Sequence, residues 1–357
     1  MLPTSPRRLT VVEQLITRSR LPYSLGSLTL SLIMGLPGLL LIGLLDTGDI
    51  TIAAQRVFTP YTNRPAWTGI LDPLVNTAII FYMLLTIRFM RNKLATAETQ
   101  LSSLTTDGGT SLHWIFHHVS STRAQLATSL LLFISITLLP QTYPGSTNLT
   151  PTSPQAITAA LIITAIFYVT VGTFVWVYIS TLWGLHRFGK QPLRLKHYQE
   201  DRLLGTGAIG SLSLTLAISY YAVIGPVTFE SLVLSPDPTG YATLFPLVLL
   251  GGIMFFLPQV SLHRQMQTTK EHEEQKVRAQ LSQLTLQDKQ KDSNRMEDLP
   301  HQVDRLIQLE MLRLNEKRLQ EVPSWPFDKK TLEYFAAIFL SILTALLTRL
   351  LLAALNL

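Results

Sequence analysis

The chain contains no cysteine, which excludes disulfides, thiol nucleophiles, iron–sulfur clusters and cysteine-bound zinc. Charge is scarce as well: 15% of the 357 residues are charged, where soluble chains average roughly 25%. The shortage is not uniform. Long stretches carry no charge at all, while residues 263–330 carry thirteen basic and twelve acidic side chains. A blockwise division of this kind marks a polytopic membrane protein rather than a globular one with a large core. Carboxylates are absent near the midpoint of every long apolar run. No titratable acid is therefore offered at the depth where proton-coupled transporters use one.

Seven runs approach the roughly 20 apolar residues that a membrane helix needs: 25–45, 71–90, 124–142, 157–183, 203–225, 243–262 and 332–352. They predict an all-α fold, a polytopic transmembrane helical bundle of about seven spans with extended helices outside it. The first run is too long for the apolar part of a cleaved signal and reads as a retained span. Lysine and arginine orient the bundle. With the N-terminus inside, the short inner segments hold 13 basic residues and the outer loops two, Arg56 and Arg64. The expected location is the plasma (inner) membrane of a bacterium, with a cytoplasmic N-terminus and an external C-terminus.

The segments then divide by character. Residues 1–24 form a cytoplasmic leader in which Leu9, Val12, Leu15 and Ile16 recur at helical spacing, as in a helix lying on the membrane surface. Residues 25–262 form a six-helix bundle with a cytoplasmic loop at 91–123, and 331–357 form the last span. Between them, residues 263–330 show apolar spacings of three and four, at Val277, Leu281 and Leu284 and again at Val303, Leu306, Leu309 and Leu312. The pattern predicts a cytoplasmic helical hairpin turning near Asp292-Ser293-Asn294, its first helix continuous with the sixth span. Arg305, Glu310 and Glu316 at heptad core positions argue against a long coiled coil. The mixed charge argues against nucleic acid as a partner. The expected partners are the lipid bilayer and, through 263–330, a second copy or a cytoplasmic protein.

The chain returns to the membrane through Pro323-Ser324-Trp325-Pro326-Phe327. The prolines stop the helix, and Trp325 and Phe327 suit the interface. Together with Leu257-Pro258 and Leu262-His263, this junction resembles the C-terminal part of bacterial multi-spanning membrane proteins without an assigned activity. The resemblance covers about the last hundred residues and implies no site residues.

Candidate chemistry is thin. His113, His117 and His118 form a cluster in which His113 and His117 would share a helix face and could hold a metal. The spacing resembles one histidine box of the membrane fatty-acid desaturases and hydroxylases. Their di-iron site needs three boxes, and His186, His197, His263, His272 and His301 stand alone. Gly205-Thr206-Gly207-Ala208-Ile209-Gly210 matches a dinucleotide-binding pattern, but at the end of a membrane helix it reads as close packing. Arg349 is expected to pair with Asp72 or Asp46 at the outer rim. Gly35, Pro37, Pro246, Gly251, Gly252 and Pro258 are expected hinges.

No catalytic residue and no cofactor is predicted. The leading functional expectation is a non-enzymatic sensor, channel-like or scaffold protein that couples the bundle to cytoplasmic helices. A transporter of a neutral or amphipathic substrate, lined by Asn76, Ser219, Tyr220 and Tyr221, is the second. A metalloenzyme built on the histidines is the third.

Overall fold

A computed structural model describes residues 9–58, 67–105, 117–138, 151–191, 193–194, 201, 203–230, 238–291, 299–323, 325–327 and 329–354. Among these residues there is no strand, only an isolated bridge between Thr105 and Leu193. The helices are α1 Val11–Arg18, α2 Tyr23–Met34, α3 Leu36–Thr47, α4 Ile50–Phe58, α5 Thr68–Leu101, α6 Thr122–Leu138, α7 Pro154–Phe188, α8 Gly207–Phe229, α9 Pro238–Lys291, α10 Leu299–Gln320 and α11 Lys329–Ala354.

Five of them, α5, α7, α8, α9 and α11, are long and apolar enough to cross a membrane. The bent pair α2–α3 makes a sixth if it counts as one span. The sequence predicts seven. The remaining run falls on α6, which is 17 residues long and ends at Leu138; its predicted continuation to 142 lies outside the described residues.

Local chemistry sets the breaks. Thr10 caps α1 in a reciprocal box, its hydroxyl accepting from the Glu13 amide while the Glu13 carboxylate accepts from the Thr10 amide. The α2–α3 pair bends by 40° at Gly35. Thr77 of α5 enters that bend: its hydroxyl accepts from the Leu36 amide at 3.0 Å and donates to the Pro73 carbonyl at 2.7 Å. A Cβ on Gly35 would collide with the Thr77 side chain, so the open backbone is kept by a residue without one. Gly48, at φ 72°, ends α3 in the left-handed region.

Packing places α8 at the centre and α11 at the edge. Of the apolar window of α8, 61% is buried, against 11% for α11. Leu212, Leu216, Tyr220, Tyr221 and Val223 of α8 join Met90 and Leu94 of α5, Leu182 and Leu185 of α7, and Val248 and Phe255 of α9 in one core. Side chains such as Leu130, Leu161, Ile253 and Leu351 remain exposed on outward faces, as expected where lipid is the solvent.

Helices α8 and α9 run antiparallel in a register that close contacts define. The Tyr220 and Tyr221 hydroxyls donate to the Leu247 and Val248 carbonyls at 2.9 and 2.8 Å. Both rings lie against Gly251, where an added Cβ would come within 2.6–2.7 Å of ring atoms and the Tyr221 hydroxyl. About four turns further along, the Thr206 hydroxyl meets Met266 Sδ at 3.4 Å. Helix α9 then continues to Lys291, and α10 packs back along it.

Candidate functional site

Polar and charged groups gather at three places: the end of the bundle that carries α1, the opposite end that carries α4, and the junction with the α9–α10 hairpin. At the α1 end, the N-terminal helix is packed into the bundle. Val12, Glu13 and Ile16 are 1–3% exposed, so that side of α1 faces protein, while Leu15 of the same expected apolar spacing is exposed. Glu13 Oε1 lies 3.0 Å from Arg91 Nε of α5, with both side chains largely buried. The two atoms are in charge contact without an aligned hydrogen bond. Glu13 Oε2 takes the Thr10 amide and hydroxyl, each at 3.0 Å. Gln125 of α6 accepts from the Val11 amide and donates to the Val119 carbonyl. The Tyr23 hydroxyl donates to the Leu84 carbonyl at 2.7 Å while Arg88 stacks over its ring. Helices α1, α2, α5 and α6 are thereby tied together.

The α4 end is arranged differently. Asp46, expected to meet Arg349, instead meets Arg56 at 2.9 Å and accepts from the Thr152 amide and hydroxyl and the Ser153 amide. It therefore anchors the start of α7, where a carboxylate complements the helix dipole. Just beyond it, hydrogen bonds from the Thr51 amide and hydroxyl hold the Asp49 carboxyl below the usual carboxylate range.

Asp72 faces another carboxyl, that of Glu230 at the end of α8, within hydrogen-bonding reach. Asn76 Nδ2 donates to Glu230 Oε1 at 2.8 Å. Burial first, then the neighbouring Asp72, push the Glu230 carboxyl above the usual carboxylate range. A neighbouring carboxylate makes a buried carboxyl harder to ionise. Arg349 is exposed on α11.

Of the histidines, His113 lies outside the described residues. His117 and His118 stand edge to face, with ring centroids 6.2 Å apart. The His118 carbonyl accepts from Trp176 Nε1 of α7 at 3.1 Å. Among the described residues, no three histidine, cysteine or acidic side chains are grouped to hold a metal ion.

The expected hinges divide into two kinds. Gly35, with Pro37 in the first turn of α3, marks a real break. Pro246, Gly251, Gly252 and Pro258 all lie inside the continuous helix α9, and Gly251 and Gly252 admit tyrosine and phenylalanine rings. A Cβ on Gly252 would reach Phe339 of α11 at 3.1 Å. From there an aromatic seam runs through Phe335 and Phe255 (centroids 4.0 Å apart) to Phe327 and Trp325.

Trp325 in turn stacks on His263 at 4.3 Å. Lys270 of α9 donates to the Gln320 and Val322 carbonyls, closing the end of α10 just before Pro323. Gly210 lies under the Pro326 carbonyl, too close for a Cβ. Gly205, at φ 86°, sits in a turn whose amides Asp201 accepts. The glycine pattern thus serves a turn and a close crossing. Asn76, Tyr220 and Tyr221, expected to line a substrate cavity, are bonded within the bundle.

Sequence reasoning missed Glu13, Arg91, Glu230 and Gln259 as residues of interest. Glu13 alone carried a local signal, the Thr-x-x-Glu capping box. No protein-family model matches the chain, and neither a curated protein nor a solved structure matches it.

Proposed function

We propose that the chain is a non-enzymatic membrane protein of the sensor, channel or scaffold class, in which α9 couples the bundle to a cytoplasmic hairpin. The observation that carries this reading is the continuity of α9, 54 residues from Pro238 to Lys291. Its first half packs on α7, α8 and α11, and its second half carries α10. At 1.5 Å per residue a helix of that length reaches about 80 Å, far more than a bilayer needs. The basic residues put the α1 end and the hairpin in the cytoplasm. Val303, Leu306, Ile307, Met311 and Leu314 are exposed on α10; this is the surface on which a second copy or a cytoplasmic protein would dock.

Because the chain has no cysteine, spin labels on Thr99→Cys and Leu286→Cys report the bundle-to-hairpin distance without background. Gly251→Ala forces α9 away from Tyr220 and Tyr221, and coupling predicts a shifted distance distribution. An unchanged distribution in the folded variant contradicts it.

A further inference from the structure

Gln259 of α9 and Ser213 of α8, like Ser27 of α2 and Thr173 of α7, are buried polar residues with unpartnered side-chain atoms. Gln259 is 0% exposed, and neither its amide oxygen nor its amide nitrogen has a hydrogen-bond partner. Ser213 is 1% exposed, and its hydroxyl also lacks one. The register brings the two to one level. Ser213 lies seven residues, two turns, from both Thr206 and Tyr220, while Gln259 lies seven from both Met266 and Gly252. Thr206 touches Met266, and Tyr220 touches Gly251, the residue before Gly252, so the register sets Ser213 and Gln259 at one level of the α8–α9 pair.

Each buried polar group left unpaired costs about 1–3 kcal/mol, and more where the surroundings are hydrocarbon. Folded proteins almost always satisfy such groups. Three fall at one level of the helix pair: the two ends of an amide and a hydroxyl, supplying both donors and acceptors. Their neighbours along the same faces, Leu212, Leu216, Phe255 and Leu262, are apolar and buried. Neither α8 nor α9 before His263 contains a charged residue, so an ion would enter without compensation.

We propose that Gln259 and Ser213 form a binding site, between α8 and α9, for a small neutral molecule that both donates and accepts hydrogen bonds, with water as the occupant. Two to four polar partners are what a buried water needs, and this pair supplies three groups. A small amide or alcohol would use the same atoms.

Radiolytic hydroxyl labelling of the full-length protein in H2 18O tests the site directly, because a water held there oxidises the side chains beside it. We expect 18O in Leu216 and Phe255 of the wild type, and its loss in Gln259→Met together with a lower melting temperature. Should Gln259→Met fail to fold, Ser213→Ala decides by the same loss of label. Acetamide in excess separates the occupants: undiminished label identifies water, and diminished label identifies a site open to small neutral solutes. Absence of 18O from both residues in the wild type overturns the proposal. So does a Gln259→Met variant more stable than the wild type, since replacing a truly unpaired amide by an apolar isostere stabilises.

Discussion

The two ends of the bundle solve the same problem, holding helices together where the apolar core runs out, with opposite electrostatics. At the α1 end, Glu13 and Arg91 bring unlike charges together and Arg88 lies over Tyr23. At the α4 end, Asp72 and Glu230 bring like groups together, with Asn76 donating to Glu230. The first arrangement is a clamp: neither charge is well accommodated without the other. The second is conditional, since burial and the neighbouring Asp72 both disfavour the charged form of Glu230.

The largest effect should follow from breaking the clamp. Glu13→Ala or Arg91→Ala leaves one charge buried alone and should cost about 3–5 kcal/mol, seen as a lower thermal midpoint in detergent. Replacing both by Leu and Met should recover most of it. If the single variants melt like the wild type, α1 is not held as described.

A smaller and pH-dependent effect belongs to the opposite end. Glu230 keeps its proton in the fold at a pH where the unfolded chain has lost it. Its contribution is therefore intact below the ordinary carboxylate range and is lost as pH rises towards the elevated value. Glu230→Gln should remove that loss, so the variant gains on the wild type as pH is raised from 5 to 8, by about 2–4 °C for each kcal/mol. Parallel melting curves for the two proteins across that range would show that the fold does not push the Glu230 carboxyl up.

The smallest effect should come from a pair outside both ends. Lys329 and Glu333 are 90% and 62% exposed and 3.7 Å apart. Lys329→Ala should change stability by less than about 0.5 kcal/mol, which sets the background against which the clamp is measured.

How much of this could be seen in the sequence depends on the range of the interaction. The long apolar runs disclose the all-α membrane fold because hydropathy is local, and spacings of three and four disclose the hairpin. The clamp joins residues 78 apart and the Asn76–Glu230 bond residues 154 apart; no local pattern encodes such pairings. Helix α1 shows a second reason. Val12 and Ile16 repeat as they would on a membrane surface, and the pattern cannot say whether lipid or protein covers them. Glycine shows a third. At Gly35 the missing Cβ permits a bend, whereas at Gly251 it admits two tyrosine rings into an unbroken helix, and the letter is the same for both.

Continuity of α9 is what links the fixed bundle to the hairpin, and amide hydrogen exchange in lipid nanodiscs measures it residue by residue. Protection should run from Phe255 to Val277 at every residue that has an amide proton, Pro258 having none, because each lies in the helix and the faces at Leu262, Met266 and Val277 are buried. Rapid exchange confined to residues 263–270, between protected segments on either side, would mean that the helix breaks where it leaves the bundle, and would contradict the coupling.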